Sequence, residues 1–543
     1  DKIVQDLNKA RAGVVKIFQN AGIVGLATHV IFQGKIIWTA NMGYENLQFK
    51  VPMDSNTILP IGALSQGFTA ACVAQQVYRG ELSYDTKVSA IFPQVKNKDA
   101  TIGDLLGHRT GLQTPDNLLQ AKYACRFSMD WGPIDKFVQL FNDLQPQANL
   151  RSQFLHNSIG YALLGGVVRT KNNYYYVRQL KENILEPLQM AHTKTVWLEK
   201  HQSGPRYSAG SNGSQYAHEV VNCLDTEDFQ LSAAVGGMTS TTNDLAKYCI
   251  ALNKAWKRRG PAADDEARNL RGNEVFPDVD LLFNPLQPMG DIATDGKAKK
   301  NHAAGWATCT LPAAIGDIGI NPGLIDMPIL GGGSAPVRMI WNQGMYDCAN
   351  AFVALLPEYE AAVIVLGNTT TGSDTADWIG QHLIQALLDS PCKNDYPFLA
   401  SMSALNARQK YWELVAKLEQ GRQTKGPQRP LDQYKGLYRN ASDEDLAKGG
   451  KKRRKSPLMI CFTGSILPEH PLHYHHGDTF TWLQSWNKML KGEFRVSYHP
   501  EYYSIRFQPN KDGSGIDSFV WVNDPAKPEG EVFTRHPAWW ELI

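Results

Sequence analysis

The chain lacks a surplus of either charge. Across 543 residues, 55 Lys and Arg stand against 53 Asp and Glu, a formal net charge of +2. That is too near zero to imply a nucleic-acid or membrane-surface partner. It lacks a long apolar run: none reaches the roughly 18 residues that a membrane helix needs. It lacks any C-x-x-C pair among Cys72, Cys125, Cys223, Cys249, Cys309, Cys348, Cys392 and Cys461, which argues against a zinc or thioredoxin-like site. Several of these cysteines lie in apolar stretches, where a small buried thiol is expected. It also lacks a signal-peptide pattern at its start, so a cytoplasmic location is favoured over secretion. The first residue is Asp1 rather than Met, so a trimmed N-terminus, including a signal peptide already removed, stays open. The sequons at Asn212, Asn368 and Asn440 are about as many as chance supplies and do not place the protein outside the cell.

What is present has the content of an ordinary soluble globular chain, long enough for two to four domains. Residues 1–20 carry apolar positions at helical spacing (Ile3, Leu7, Ala10, Val14, Ile17). His29 to Trp38 reads as a β-hairpin turning at Gly34. Residues 65–79 read as a buried helix ended by Gly80, and Asn157 to Val168 as another. Ala349–Pro357 and Ala361–Asn368 read as paired strands, followed by a closing amphipathic helix over Asp374–Leu388. This order predicts an α/β (α+β) fold, an antiparallel sheet flanked by helices with an all-helical insert. Arg258 to Lys300, rich in Pro, Gly and charge, reads as an irregular excursion or lid. Residues 396–430, with one short helical stretch, read as a linker between a main domain (1–395) and a β-rich domain (431–543). The short alternating runs at 494–498, 503–507 and 518–522 suggest that this second domain is a small barrel. Lys448 to Lys455 reads as a solvated loop rather than a nucleic-acid patch, because no aromatics interleave it. His470, His473, His475 and His476 have no Cys or carboxylate at ligand spacing. No metal and no cofactor are expected.

Several elements occur together in a familiar order. Gly107-His-Arg-Thr-Gly-Leu112, Glu186-Pro-Leu-Gln-Met190, Ala234-Val-Gly-Gly-Met-Thr-Ser240, Asn243-Asp-Leu245, Leu355-Leu-Pro-Glu358 and Val363 to Asn368 resemble the serine β-lactamase and penicillin-binding-protein superfamily over roughly residues 20–390. Asp374-Thr-Ala-Asp-Trp-Ile-Gly380 is similar to fungal members found in natural-product pathways. The tail from Leu431 resembles the lipocalin-like domain appended to many esterase and peptidase relatives.

The resemblance implies three catalytic clusters, and all three have changed. Where the family carries Ser-x-x-Lys, this chain has Ala63-Leu64-Ser65-Gln66, losing the nucleophile and the base that activates it. Ser65 is two positions on from Ala63 and should point about 200° around the helix. Where the family carries Tyr-x-Asn, the chain has His156-Asn157-Ser158. A histidine with a pKa of about 6.5 is a better proton shuttle at neutral pH than a tyrosine, and a place at a helix N-terminus favours its neutral form. Where the family carries His/Lys-x-Gly, the chain has Asn342-Gln343-Gly344, then Tyr346, Asp347 and Cys348. The catalytic candidates are therefore His156, Gln66, Tyr346 and Asp347. The substrate-binding candidates are Ala63, Ser158, Asn342, Gly344 and Cys348.

The expected function is acid–base catalysis without a covalent intermediate, suited to isomerisation, dehydration or cyclisation of a bulky natural-product intermediate. One alternative is a pseudoenzyme that binds a small molecule or a partner protein. Another is residual esterase or acyltransferase activity through a different nucleophile, for which Cys348 is the candidate.

Overall fold

The computed structural model describes residues 2–113, 134–172, 176–195, 206–210, 213–220, 230–260, 274–290, 300–346, 349–439, 445–446, 458–460, 470–491, 499–523 and 527–536. Chain contacts divide the protein into two compact units, with a boundary between Asn406 and Ala407.

The first unit is built on a nine-stranded sheet. Its elements run α1 (Lys2–Ala21), β1 (Gly25–Phe32), β2 (Lys35–Asn46), β3 (Val51–Pro52), α2 (Leu64–Tyr78), α3 (Ile102–Leu106), α4 (Ser158–Asn172), α5 (Thr242–Lys257), β4 (Gln287–Pro288), β5 (Lys300–His302), β6 (Ala307–Leu311), β7 (Val337–Tyr346), β8 (Ala349–Leu356), β9 (Ala361–Gly367) and α6 (Thr375–Leu387). The strand order is β3-β2-β1-β9-β8-β7-β6-β5-β4, with neighbours antiparallel. The expected hairpin, the paired strands and the closing helix all lie where the residue pattern placed them.

Both faces of the central strands are covered, so β8 and β9 are buried at every position. This is why they read as continuous apolar runs rather than as alternation. One face packs on α1 and α6, where Leu7, Val14, Ile17, Trp341, Phe352, Val363, Trp378 and Leu383 share a core. Two glycines allow this close packing. A Cβ on Gly13 would lie 2.2 Å from His382 Nε2, and one on Gly380 would lie 2.2 Å from Phe352. The helices α2 and α5 cover the opposite face. There Asn253 donates to the Ala361 carbonyl at 3.1 Å and His29 Nε2 lies 2.9 Å from Asn243 Oδ1. Side chains alternate along a strand, so on β7 Trp341 and Met339 belong to the α6 side while Asn342 reaches toward α2.

The helix α7 (Tyr396–Glu419) is 24 residues long, so the first part of the expected linker is not a short helical stretch. Tyr396 and Ala400 join the core of the first unit, and Leu414 and Leu418 join that of the second. Burial at both ends explains why a segment with weak amphipathic periodicity is nonetheless a continuous helix.

In the second unit, β10 (Tyr438–Arg439), β11 (Asp445–Leu446), β12 (His473–His476), β13 (Thr479–Thr481), β14 (Ser504–Pro509), β15 (Ile516–Trp521) and β16 (Glu531–Arg535) form a sheet in the order β11-β10-β16-β15-β14-β13-β12. Tyr434, Tyr438, Trp482, Phe507, Phe519, Trp521 and Phe533 pack into its core. Among the described residues the two outer strands, β11 and β12, do not pair with each other. The sheet is open there, and the expected closure into a barrel is not seen. The expected strand at 494–498 and the basic run at 448–455 lie outside the described residues, as do residues 261–273 and 291–299 of the expected lid.

Candidate active site

Gln66 is the centre of the site. It lies one turn into α2, whose N-cap is Ala63, a residue that offers no side-chain cap. Its carboxamide is buried between two imidazoles. Gln66 Oε1 is 3.2 Å from His108 Nε2, and Gln66 Nε2 is 3.5 Å from His156 Nε2. Where the resemblance places a nucleophilic hydroxyl, Ala63 has a methyl group. Ser65 faces elsewhere: its hydroxyl accepts from the Met238 backbone N–H at 3.3 Å.

Two loops bring the histidines together, and one buried carboxylate anchors both. Thr101 and Asp104 form a reciprocal capping box at the start of α3, satisfying two helix-end donors at once. The fully buried Asp104 carboxylate then accepts from Arg109 Nε at 2.7 Å and from Arg151 Nε and Nη2 at 2.9 and 2.8 Å. Burial pushes this carboxyl up, but the hydrogen bonds from Arg151 and Thr101 and the charge of Arg109 outweigh it and hold the group below the usual carboxylate range. The two loops also pair through backbone. Arg151 N–H donates to the Arg109 carbonyl at 2.7 Å, and Leu155 N–H donates to the His108 carbonyl at 2.8 Å. Asn157 caps α4 by accepting from Gly160 N–H at 3.0 Å, and its amide reaches the Leu112 carbonyl at 3.0 Å. The result sets His108 and His156 with ring centroids 4.6 Å apart.

A third imidazole closes the group. His302 ends β5, with its centroid 4.8 Å from His108 and 5.1 Å from Phe154. Burial, with the nearby His156 adding to it, lowers the His302 pKa to about 3. Burial, then His156 and His302 beside it, hold His108 well below the usual imidazole range. Both are neutral at physiological pH. Among the described residues, His302 Nδ1 is buried with no hydrogen-bond partner.

The structure places the remaining candidates as follows. Asn342 is committed within the protein: its Nδ2 donates to the carbonyls of Ala63 at 3.1 Å and Gly305 at 2.9 Å, and its Oδ1 accepts from Gln343 N–H. It fastens the start of α2 to the sheet. Gly344 permits the same approach, since a Cβ there would lie 2.0 Å from the Ile61 carbonyl oxygen. Ser158 is buried as the first residue of α4. Tyr346 ends β7, but its side chain, Asp347 and Cys348 lie outside the described residues. His108 and His302 were not among the residues expected at the site. His108 sits in the Gly107–Leu112 run, whose pattern carries the family likeness and no catalytic signal of its own. Nothing local to His302 signals its position, because it reaches the site through sheet pairing. Among the described residues no group of three or more His, Cys, Asp or Glu is arranged to hold a metal ion, and no helix is long and apolar enough to cross a membrane.

Comparison with known proteins bears on the family and the fold. A β-lactamase from Yersinia enterocolitica is 20% identical over 388 residues, covering 68% of this chain and 89% of its own length. The unguisins hydrolase of Aspergillus violaceofuscus is 22% identical over 447 residues, covering 77% and 72%. Among solved structures, the octameric penicillin-binding protein homologue from Pyrococcus abyssi superposes with a TM-score of 0.55 at 17% identity, over 97% of this chain and 100% of that one. A class C β-lactamase mutant superposes with a TM-score of 0.53 at 17% identity, over 70% and 98%. The β-lactamase family model matches residues 1–386, most of the chain, and the protein belongs to the β-lactamase family.

Proposed function

We propose that this protein is a non-covalent acid–base catalyst housed in a β-lactamase fold. Its substrate is read as a bulky natural-product intermediate, and its reaction as an isomerisation, dehydration or cyclisation. The observation that carries this reading is Gln66 set between His108 and His156 beside the methyl of Ala63. An amide cannot deprotonate a nucleophile, and removing the nucleophile of such a site leaves roughly 10³–10⁴-fold catalysis over water at best. A neutral histidine held next to a fixed hydrogen-bond donor suits general base work at neutral pH. The likeness to a fungal hydrolase of unguisins supports a natural-product substrate. The second unit is read as a lipocalin-like domain, on the support of its antiparallel sheet and aromatic core.

A second reading, a pseudoenzyme that binds a ligand without turnover, is favoured by Asn342. Its amide is used within the protein rather than presented to a ligand.

Hydrogen–deuterium exchange at carbon in D2O separates the two readings. A panel of bulky cyclic ketones and esters is incubated with the full chain and analysed by mass spectrometry. The catalyst exchanges α-hydrogens of at least one probe, and His156→Phe lowers that rate by about 10²–10⁴-fold with binding largely kept. Exchange unchanged in His156→Phe removes this residue from the mechanism. Binding without exchange for every probe favours the pseudoenzyme.

A further inference from the structure

We propose that His108 is a positioning residue that locks the Gln66 carboxamide with its nitrogen toward His156, holding His156 in the tautomer that carries its proton on Nδ1 and its lone pair on Nε2. The starting point is a donor whose identity is fixed by covalent structure. The Asn157 backbone N–H donates to His108 Nδ1 at 3.0 Å, so Nδ1 is the unprotonated nitrogen of that ring. A neutral imidazole with an accepting Nδ1 carries its proton on Nε2. His108 Nε2–H therefore donates, and the Gln66 atom it faces at 3.2 Å must be the carbonyl oxygen. The Gln66 NH2 group is then left to face His156 Nε2, which must accept. One backbone amide thus orders three side chains in series, in surroundings where an amide rotated the other way would set donor against donor.

The burial of His108 agrees with this polarity. Its imidazolium form is disfavoured by desolvation and by both neighbouring imidazoles, so the ring stays neutral and Nδ1 stays an acceptor. At 3.5 Å the Gln66–His156 contact is at the long end for a hydrogen bond, so the tautomer is set by the polarity of the facing donor, since an Nε2–H there would set donor against donor.

The catalytic consequence rests on the acid–base reading above and names its substrate class: a carbonyl compound with an acidic neighbouring C–H bond. That C–H bond breaks and its proton goes to His156 Nε2. The electron pair moves onto the carbonyl oxygen, and the Gln66 N–H group hydrogen-bonds that oxygen. Where the substrate also carries a β,γ double bond, the dienolate takes the proton back from Nε2 at its γ-carbon, and the double bond moves into conjugation, completing an isomerisation with no oxidant or co-reactant required. The position where the resemblance places a cationic lysine thus presents a neutral, oriented donor.

Ring nitrogen shifts of 15N-histidine-labelled full-length protein test the tautomer without any substrate. The His156 signals are identified by their loss in His156→Phe. The expected result at pH 7 to 8 is an unprotonated Nε2 and a protonated Nδ1 on His156, with the reverse pattern on His108. Gln66→Glu replaces the oriented donor with an acceptor-only carboxylate, and should move a proton onto His156 Nε2. His108→Phe should release the fixed tautomer. Should that variant not fold, the wild-type and Gln66→Glu spectra decide. A wild-type His156 protonated on Nε2, or ring shifts unchanged in Gln66→Glu, overturns the proposal. The predicted tautomer together with full exchange activity in His156→Phe leaves the positioning inference standing and removes the catalytic reading.

Discussion

Asp104 is tied to Arg109 and Arg151, and the site should depend on it. Replacing it with Ala removes the acceptor for Arg109, Arg151 and the Thr101 backbone N–H together. Breaking a buried ion pair costs about 3–5 kcal/mol. Here the Arg109 and Arg151 side chains are 23% and 47% exposed, so both guanidinium groups regain water, and a cost of about 3 kcal/mol at the low end of that range is expected. The loss should be local to the paired loops. The amides of Arg151, Leu155 and Asn157 donate to Arg109 and His108, and their protection reports the loop geometry directly. At about 1.4 kcal/mol per decade, their hydrogen exchange in Asp104→Ala should speed up by about a hundredfold, read by peptide-level exchange and mass spectrometry. The effect has a pH signature. The Asp104 pKa lies lower in the folded chain than in the unfolded one. Its stabilisation is present above the unfolded value of about 3.9 and is lost as pH falls through the folded value. The difference between wild type and variant should therefore shrink below about pH 4. Exchange at these three amides unchanged by the substitution at neutral pH would refute the anchoring role.

Two further expectations concern the scaffold. Burial, followed by the neighbouring Asp374, raises the Asp377 pKa to about 8. Asp377 keeps its proton while the unfolded chain loses one, so it lowers stability progressively from about pH 4 to about pH 8. Both Asp377 oxygens accept from amide groups, Oδ2 from Asn321 and Oδ1 from Gln381, so Asp377→Asn carries a fixed cost from setting an NH2 against a donor. Its stability relative to wild type should nonetheless rise with pH across that window in thermal unfolding, and a difference that does not grow with pH counts against a raised Asp377 pKa. Gly344→Val should destabilise the first unit by about 3 kcal/mol or prevent its folding, because its Cβ would collide with the Ile61 carbonyl. A soluble variant with an unchanged denaturation midpoint would show that the close approach does not matter.

The fold was largely readable because its signals are local. Alternating or continuous apolar runs mark β1, β8 and β9, and helical spacing marks α1 and α6. The loss of the covalent machinery, with Ala63 and Gln66 standing where the resemblance places Ser and Lys, is equally plain, since it needs only a motif and two residue types. The histidine group was not readable. His108, His156 and His302 are separated by 48 and 146 residues, and they meet through a loop pairing and a sheet register that no local pattern encodes. The role of Asn342 was hidden for a related reason: its donors were foreseeable, but the carbonyls of Ala63 and Gly305 that receive them are brought there by tertiary packing. The length of α7 followed from burial at both its ends rather than from its own periodicity.

The central claim is that this family member works without a covalent intermediate. Intact-mass spectrometry of the full chain after exposure to fluorophosphonate and β-lactam probes tests it most directly. Ala63 has no hydroxyl to acylate, and Ser65 Oγ is turned toward Met238. The mass should stay unchanged, and in Ala63→Ser hydrolysis should remain absent because Gln66 supplies no base. A stoichiometric adduct on any residue of the wild-type chain would contradict the account.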